Sequence, residues 1–279
     1  MRLACADFSW PGLPHELVLD IIPALGCEGV LLGLLGDYSP IHLDEVRKDI
    51  PGWADRLTER IEAHGLVLAD VFPIASMDLV GLAVNHPDAG ERDESAVFFR
   101  QLLDFTARTG IDGMTILPGM PFEGESWDTS FERACEELTW RLDEAKARGL
   151  RLSVEPHHGS IVETPETAAR LVEAVPNLEL TLDYGHFTEQ GIEDALVEPL
   201  LDHTRIMHLR PCRPGFVQSR MKDNTIDFGR MVDRLVEIGF DGWLAIEFVH
   251  DARPGCQDCD VIQEALLLGA LVRERLASA

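Results

Sequence analysis

Short apolar runs alternate with longer amphipathic segments along the whole chain, and this alternation restricts the fold more than any other feature. "LACADF" near residue 3, "GVLLGL" near 29, "LVLADVF" near 66, "GMTILPG" near 113, "LRLSVE" near 150, "LELTLD" near 178, "RIMHLR" near 205 and "WLAIEF" near 243 read as eight strands. Between them, "ESAVFFRQLLDFTARTG", "SFERACEELTWRLDEAKARG" and "TIDFGRMVDRLVEIG" repeat apolar residues at three and four and close on Gly110, Gly149 and Gly239. Thr164 before Pro165 reads as an N-cap with proline at the first helical position. Eight strand and helix alternations in 279 residues predict a single (β/α)8 TIM barrel domain over residues 1–279, since about 250 residues is typical of that fold. A doubly wound open sheet would bring a glycine-rich phosphate turn after the first strand, and "DFSWPGLPHE" has none.

Composition narrows the function classes. With 24 basic against 49 acidic residues the formal charge is −25, which opposes nucleic-acid binding, because counterion release needs clustered Lys and Arg. The chain has no apolar run long enough for a membrane span, and its first residues lack the continuous apolar stretch of a signal peptide. A cytoplasmic protein is expected, and homo-oligomerisation stays open. The six scattered cysteines fit reduced thiols, and "GCQDCD", with Cys256 and Cys259, reads as unligated thiols in a loop. "ERDES" near residue 91 reads as a solvated helix start.

The chemistry collects at the later strand ends. Glu155 ends the fifth strand, Asp183 the sixth, His208 the seventh and Glu247 the eighth, at spacings of 28, 25 and 39 residues, each near the roughly 30 residues of one βα unit. Residues two apart share a face of a strand, so Ser153, Thr181, Ile206 and Ala245 point the same way as these four. The opposite face is apolar and suits packing against helices. The four side chains therefore point into the barrel at its C-terminal mouth, where active sites of this fold form. The first four strands end near Asp7, Gly33, Asp70 and Pro118.

Three carboxylates converging without a cation would repel and be desolvated, at several kcal/mol per buried ion. A lone acid at such a position caps a helix or pairs with an arginine as readily, but four in register point to a metal site. Oxygen donors with one imidazole favour Mn²⁺ and also admit Mg²⁺, Co²⁺, Fe²⁺ or Zn²⁺. His158 is placed at the mouth, as a substrate contact or a loop residue. Arg210 shares the face of His208 and either holds a substrate oxygen or pairs with a rim acid. Phe8 and Trp10 follow the first strand as core residues or as an apolar pocket wall.

In "GLRLSVEPHHGSIVETPETAARLVE", "LTLDYGH", "IMHLRPCRPG" and "IDFGRMVDRLVEIGFDGWLAIEF" the chain resembles the xylose isomerase-like TIM barrels, the sugar phosphate isomerase and epimerase group. That resemblance implies one divalent cation, commonly Mn²⁺, on Glu155, Asp183, His208 and Glu247. It further implies Glu155 and Glu247 as acid and base on opposite faces of a small carbohydrate substrate, with His186 as a substrate contact. Where ketose 3-epimerases of the group carry a further glutamate, this chain has Ile161.

The function expected is thus a metal-dependent isomerase or epimerase acting through an enediolate. A dehydratase, expelling a β-hydroxyl from the same enediolate, is the first alternative. An abasic-site endonuclease would need more metal ligands than the first four strand ends supply, and a non-catalytic metal-binding barrel is the remaining class.

Overall fold

The computed structural model describes residues 1–278. Its strands are β1 (Arg2–Ala6), β2 (Gly29–Leu34), β3 (Val67–Pro73), β4 (Gly113–Ile116), β5 (Arg151–Val154), β6 (Glu179–Asp183), β7 (Thr204–Leu209) and β8 (Trp243–Ile246). Helices α1 (His15–Ala24), α2 (Leu43–Lys48), α3 (Ile50–Ala63), α4 (Ala89–Thr109) and α5 (Trp127–Ala147) serve the first half. Helices α6 (Pro165–Ala174), α7 (Gly185–Thr188), α8 (Asp194–Val197), α9 (Phe228–Glu237) and α10 (Val261–Ser278) serve the second. No helix among the described residues is long and apolar enough to cross a membrane.

All sheet pairs are parallel, in the order β3-β2-β1-β8-β7-β6-β5-β4. The sheet curls into a nearly closed TIM barrel, with β3 and β4 side by side but without a ladder between them among the described residues. Side chains bridge that seam: the Thr115 hydroxyl on β4 donates to Asp70 Oδ2 on β3 at 2.5 Å.

The alternation read from sequence holds in three dimensions. Leu152, Val154, Leu180, Leu182, Met207, Leu209, Leu244 and Ile246 join the large core between strands and helices. Ile206 and Ala245 instead join a small cluster inside the barrel with Ala4, Ala6, Ala69, Phe8 and Phe72. The remainder of the interior is polar, with Asp70, Thr115, Ser153, Thr181 and Arg205 all buried. Arg205 breaks the alternation, since it is two residues before Met207 yet lies inside, at the place where the β6–β7 register shifts from Leu180↔Thr204 to Thr181↔Ile206. Gly33 belongs to this packing, since a Cβ there would collide with the Phe8 ring.

Local signals set the boundaries. Thr164 accepts from the Thr167 N–H while the Thr167 hydroxyl accepts from the Thr164 N–H, a reciprocal cap that starts α6. The acidic segment near residue 91 lies in the first turns of α4, capped by Asp88. β3 runs on to Pro73, three residues beyond the strand end expected near Asp70, because Leu31 to Leu34 of β2 continue to pair with it. Asp70 is thereby set inside the barrel rather than at its mouth.

Candidate active site

β5 to β8 deliver their polar side chains to one place. Asp183 and His208 are cross-strand partners at the ends of β6 and β7. Glu155 and Glu247 each stand one residue past a strand, with their N–H groups donating to Ile116 and Leu209 carbonyls at 3.0 Å. His208 Nδ1 lies 2.8 Å from Glu155 Oε1 and 2.6 Å from Glu247 Oε2. Only the first of these is aligned as a hydrogen bond, and Glu247 Oε2 is buried without one. The donor atoms of Glu155, His208 and Glu247 all fall within 4.8 Å of one another, a spacing that could hold a metal ion. Asp183 stands beside them but is otherwise engaged: Oδ1 accepts from the Gly185 N–H at 2.7 Å and Oδ2 from Arg210 Nη2 at 2.6 Å.

Burial and charge oppose each other here. Burial pushes the Glu155 carboxyl up to about 7, in spite of the nearby His208. Glu247 is equally buried, but the His208 and Arg210 charges outweigh that and hold its carboxyl down at about 2. Burial disfavours the His208 imidazolium, yet Glu247 and Glu155 hold it well above the usual histidine range. Asp183 is raised by burial, against the pull of Arg210.

The xylose isomerase-like TIM barrel family matches residues 19–267. The chain belongs to that family. It is 28% identical over 149 residues to the rhizopine catabolism protein MocC of Rhizobium meliloti, a stretch covering 46% of this chain and 44% of the relative. It is 26% identical over 145 residues to the inosose dehydratase of Geobacillus kaustophilus (strain HTA426), covering 44% and 47%. The matched stretches thus span less than half the length of these relatives. Among solved structures, a D-psicose 3-epimerase with D-tagatose from Clostridium cellulolyticum H10 superposes with a TM-score of 0.79 at 14% identity, over 99% of both chains, which is a likeness of fold.

In this xylose isomerase-like barrel, a pocket of about 700 Å³ opens above the cluster. Glu155, Glu247, Arg210, His186 and His157 form its polar side, and Phe8, Leu35, Phe72 and Ile74 face them. His186 is buried, with Nε2 3.8 Å from Asp183 Oδ2 and Nδ1 lacking a hydrogen-bond partner. Arg210 Nε is likewise buried and unpartnered. His158 stands at the exposed rim, where Nδ1 meets Glu189 Oε2 at 3.2 Å. Trp10 packs against the outer core, whereas Phe8 serves both interior and pocket. Ile161 is fully buried in the outer core.

Glu155, His157 and His158 present possible oxygen and imidazole ligands within four positions of the sequence, and His157 is among the residues that line the pocket. Its ring lies 4.0 Å from that of His186, and with Glu155 and His186 it forms a second group of donors within 4.8 Å. Burial pushes the His157 imidazole down to about 4. A usable signal existed: His157 is two residues after Glu155, so the same alternation carried one step past β5 turns it into the pocket. Cys256 and Cys259 are free thiols in the segment after β8.

Proposed function

We propose that this chain is a divalent-metal-dependent isomerase or epimerase of a small sugar or polyhydroxy ketone, moving a carbon-bound proton through an enediolate. Its chief support is the convergence of Glu155, Glu247 and His208 Nδ1 below the pocket. One ring nitrogen carries one proton and cannot satisfy two buried carboxylates, so this donor set fits a cation better than a hydrogen bond. Glu155, His208 and Glu247 would hold the ion, with Asp183 as the fourth ligand in exchange for a contact it now makes. Carboxylate oxygens with one imidazole favour Mn²⁺ and admit Mg²⁺, Co²⁺, Fe²⁺ or Zn²⁺. When bound, the ion supplies Lewis-acid stabilisation of negative charge developing on the substrate oxygens.

The chain's own residues do the rest. Glu155 and Glu247 arrive from β5 and β8 and serve as the pair that takes and returns the proton. Return to the opposite face of the same carbon epimerises, and return to the neighbouring carbon isomerises. His186 Nδ1 and Arg210 Nε, buried without partners, orient substrate oxygens, and His158 contacts the outer end of the substrate. The relationship to an inosose dehydratase favours one second reading, in which the same proton abstraction is followed by loss of a β-hydroxyl.

Glutamine replacement in D₂O separates these roles, because glutamine keeps an oxygen for the ion but is no base. Glu247→Gln with metal retained should lose epimerisation yet exchange deuterium into one epimer only, and Glu155→Gln into the other. Labelling of both epimers by one variant would mean a single base. Dehydrated product from the wild type would select the lyase.

A further inference from the structure

In its first turns helix α10 carries apolar residues on both sides, with Glu264 buried on the inner face, where it accepts from the Met221 N–H at 2.7 Å. Its inner face buries Ala265, Leu268, Gly269 and Val272 against the barrel. Its outer face presents Ile262, Leu266 and Leu267 at 44%, 41% and 47% exposure, with Gln263 and Ala270 beside them. A helix on the outside of a barrel normally turns polar residues outward, and one that is apolar all round is normally covered. The outer face forms a shallow groove that ends at Asp260 on one side and Arg273 on the other. Neither of these two has a salt bridge within the chain among the described residues; Arg273 Nη1 donates to the Leu25 carbonyl at 3.0 Å, and Asp260 caps the helix through the Gln263 N–H.

The pattern of this groove suits a second copy of the same helix. Placing a two-fold axis between Leu266 and Leu267, perpendicular to the helix, maps Leu266 onto Leu267, Gln263 onto Ala270 and Asp260 onto Arg273, while Ile262 maps onto Leu271, a half-buried apolar residue beside the groove. An antiparallel second α10 would set leucine against leucine at the centre, a long side chain against a small one on each flank, and opposite charges at both ends. Such mutual matching is what an interface between identical subunits requires, since residue i meets j while j meets i. The spacing of 263, 267 and 270 by four and three also suits a two-helix seam. A heterologous partner would have no need of this internal symmetry. We propose that α10 docks antiparallel against α10 of a second copy of this chain, across an axis between Leu266 and Leu267.

The test is molecular mass against concentration, by sedimentation equilibrium of the full chain. Wild type should dimerise reversibly, and Leu267→Arg, at an exposed position with folding checked by circular dichroism, should weaken the dimer by about tenfold or more. Arg273→Glu should also weaken it, and adding Asp260→Lys should restore it, as only the end-to-end charge match explains. A wild type that stays monomeric into the high micromolar range, or a dimer indifferent to Leu267→Arg, would overturn the proposal. A folded charge-swapped double variant no tighter than Arg273→Glu alone would overturn the antiparallel arrangement.

Discussion

Arg205 of β7 reaches Asp70 of β3 across the inside of the barrel, with 2.7 Å between Nη2 and Oδ1 and both side chains buried. The same guanidinium donates from Nε to Ser153 Oγ at 2.9 Å, and Ser153 and Thr181 stand 2.7 Å apart. Burial raises the Asp70 carboxyl, while Arg205 and the Thr115 hydroxyl pull it back. The pair thus ties the floor of the site to the strand at the open seam.

Removing one member should leave the other as an uncompensated buried charge. Arg205→Met is expected to cost about 3–5 kcal/mol of folding stability. The double variant Asp70→Leu with Arg205→Met should cost less than either single change. Urea unfolding of the three variants measures this, and single losses below about 1 kcal/mol, the scale of a surface pair, would mean that the charges are not isolated from water.

A second expectation concerns Gly119, which has a φ of +100° and lies against Asn85. Asn85 donates from Nδ2 to the Met120 and Ser130 carbonyls and accepts from the Met120 N–H, so it fixes the segment after β4 to α5. A Cβ at residue 119 would collide with Asn85 Oδ1. Gly119→Ala should destabilise the fold by more than about 1 kcal/mol, read from its denaturation midpoint.

Metal content tests the proposed ligands. Purified protein should hold about one divalent ion per chain. Asp183→Ala and His208→Ala should lose it while far-UV circular dichroism stays unchanged, because the ligands sit at strand ends on a completed core. Stoichiometric metal in His208→Ala by elemental analysis would remove that residue from the ligand set.

Abasic duplex DNA should be neither bound nor cut at physiological salt. A charge of −25 leaves little drive for phosphate contacts. Fluorescence anisotropy and a strand-cleavage assay check this, and salt-sensitive binding with cleavage would contradict it.

Much of this architecture could be read from residue order, because strand parity is local. Glu155, Asp183 and Glu247 fall near the ends of apolar runs, and their inward direction follows from neighbours two residues away. Arg210 beside Asp183 was one of two outcomes open for that arginine. The Asp70–Arg205 pair lies beyond such reading: its members are 135 residues apart, and nothing local distinguishes an arginine aimed inward from one aimed at solvent. The tilted contact between the His157 and His186 rings also depends on how the loop after β5 meets α7, which no single segment encodes.

The missing ladder between β3 and β4 gives the barrel the mechanics of a clasp rather than a hoop. Elsewhere its girth is set by backbone bonds between neighbouring strands; here it is fastened by a hydroxyl and a carboxylate, Thr115 on Asp70. Arg205 Nη2 reaches both members of the fastening, so what holds the seam is a small set of side chains and no pair of the ladder. The segment leaving β3 at that edge carries Ile74, Met77 and Leu79 along the rim of the pocket, so one wall of the mouth is anchored through side chains where the other walls rest on paired strands.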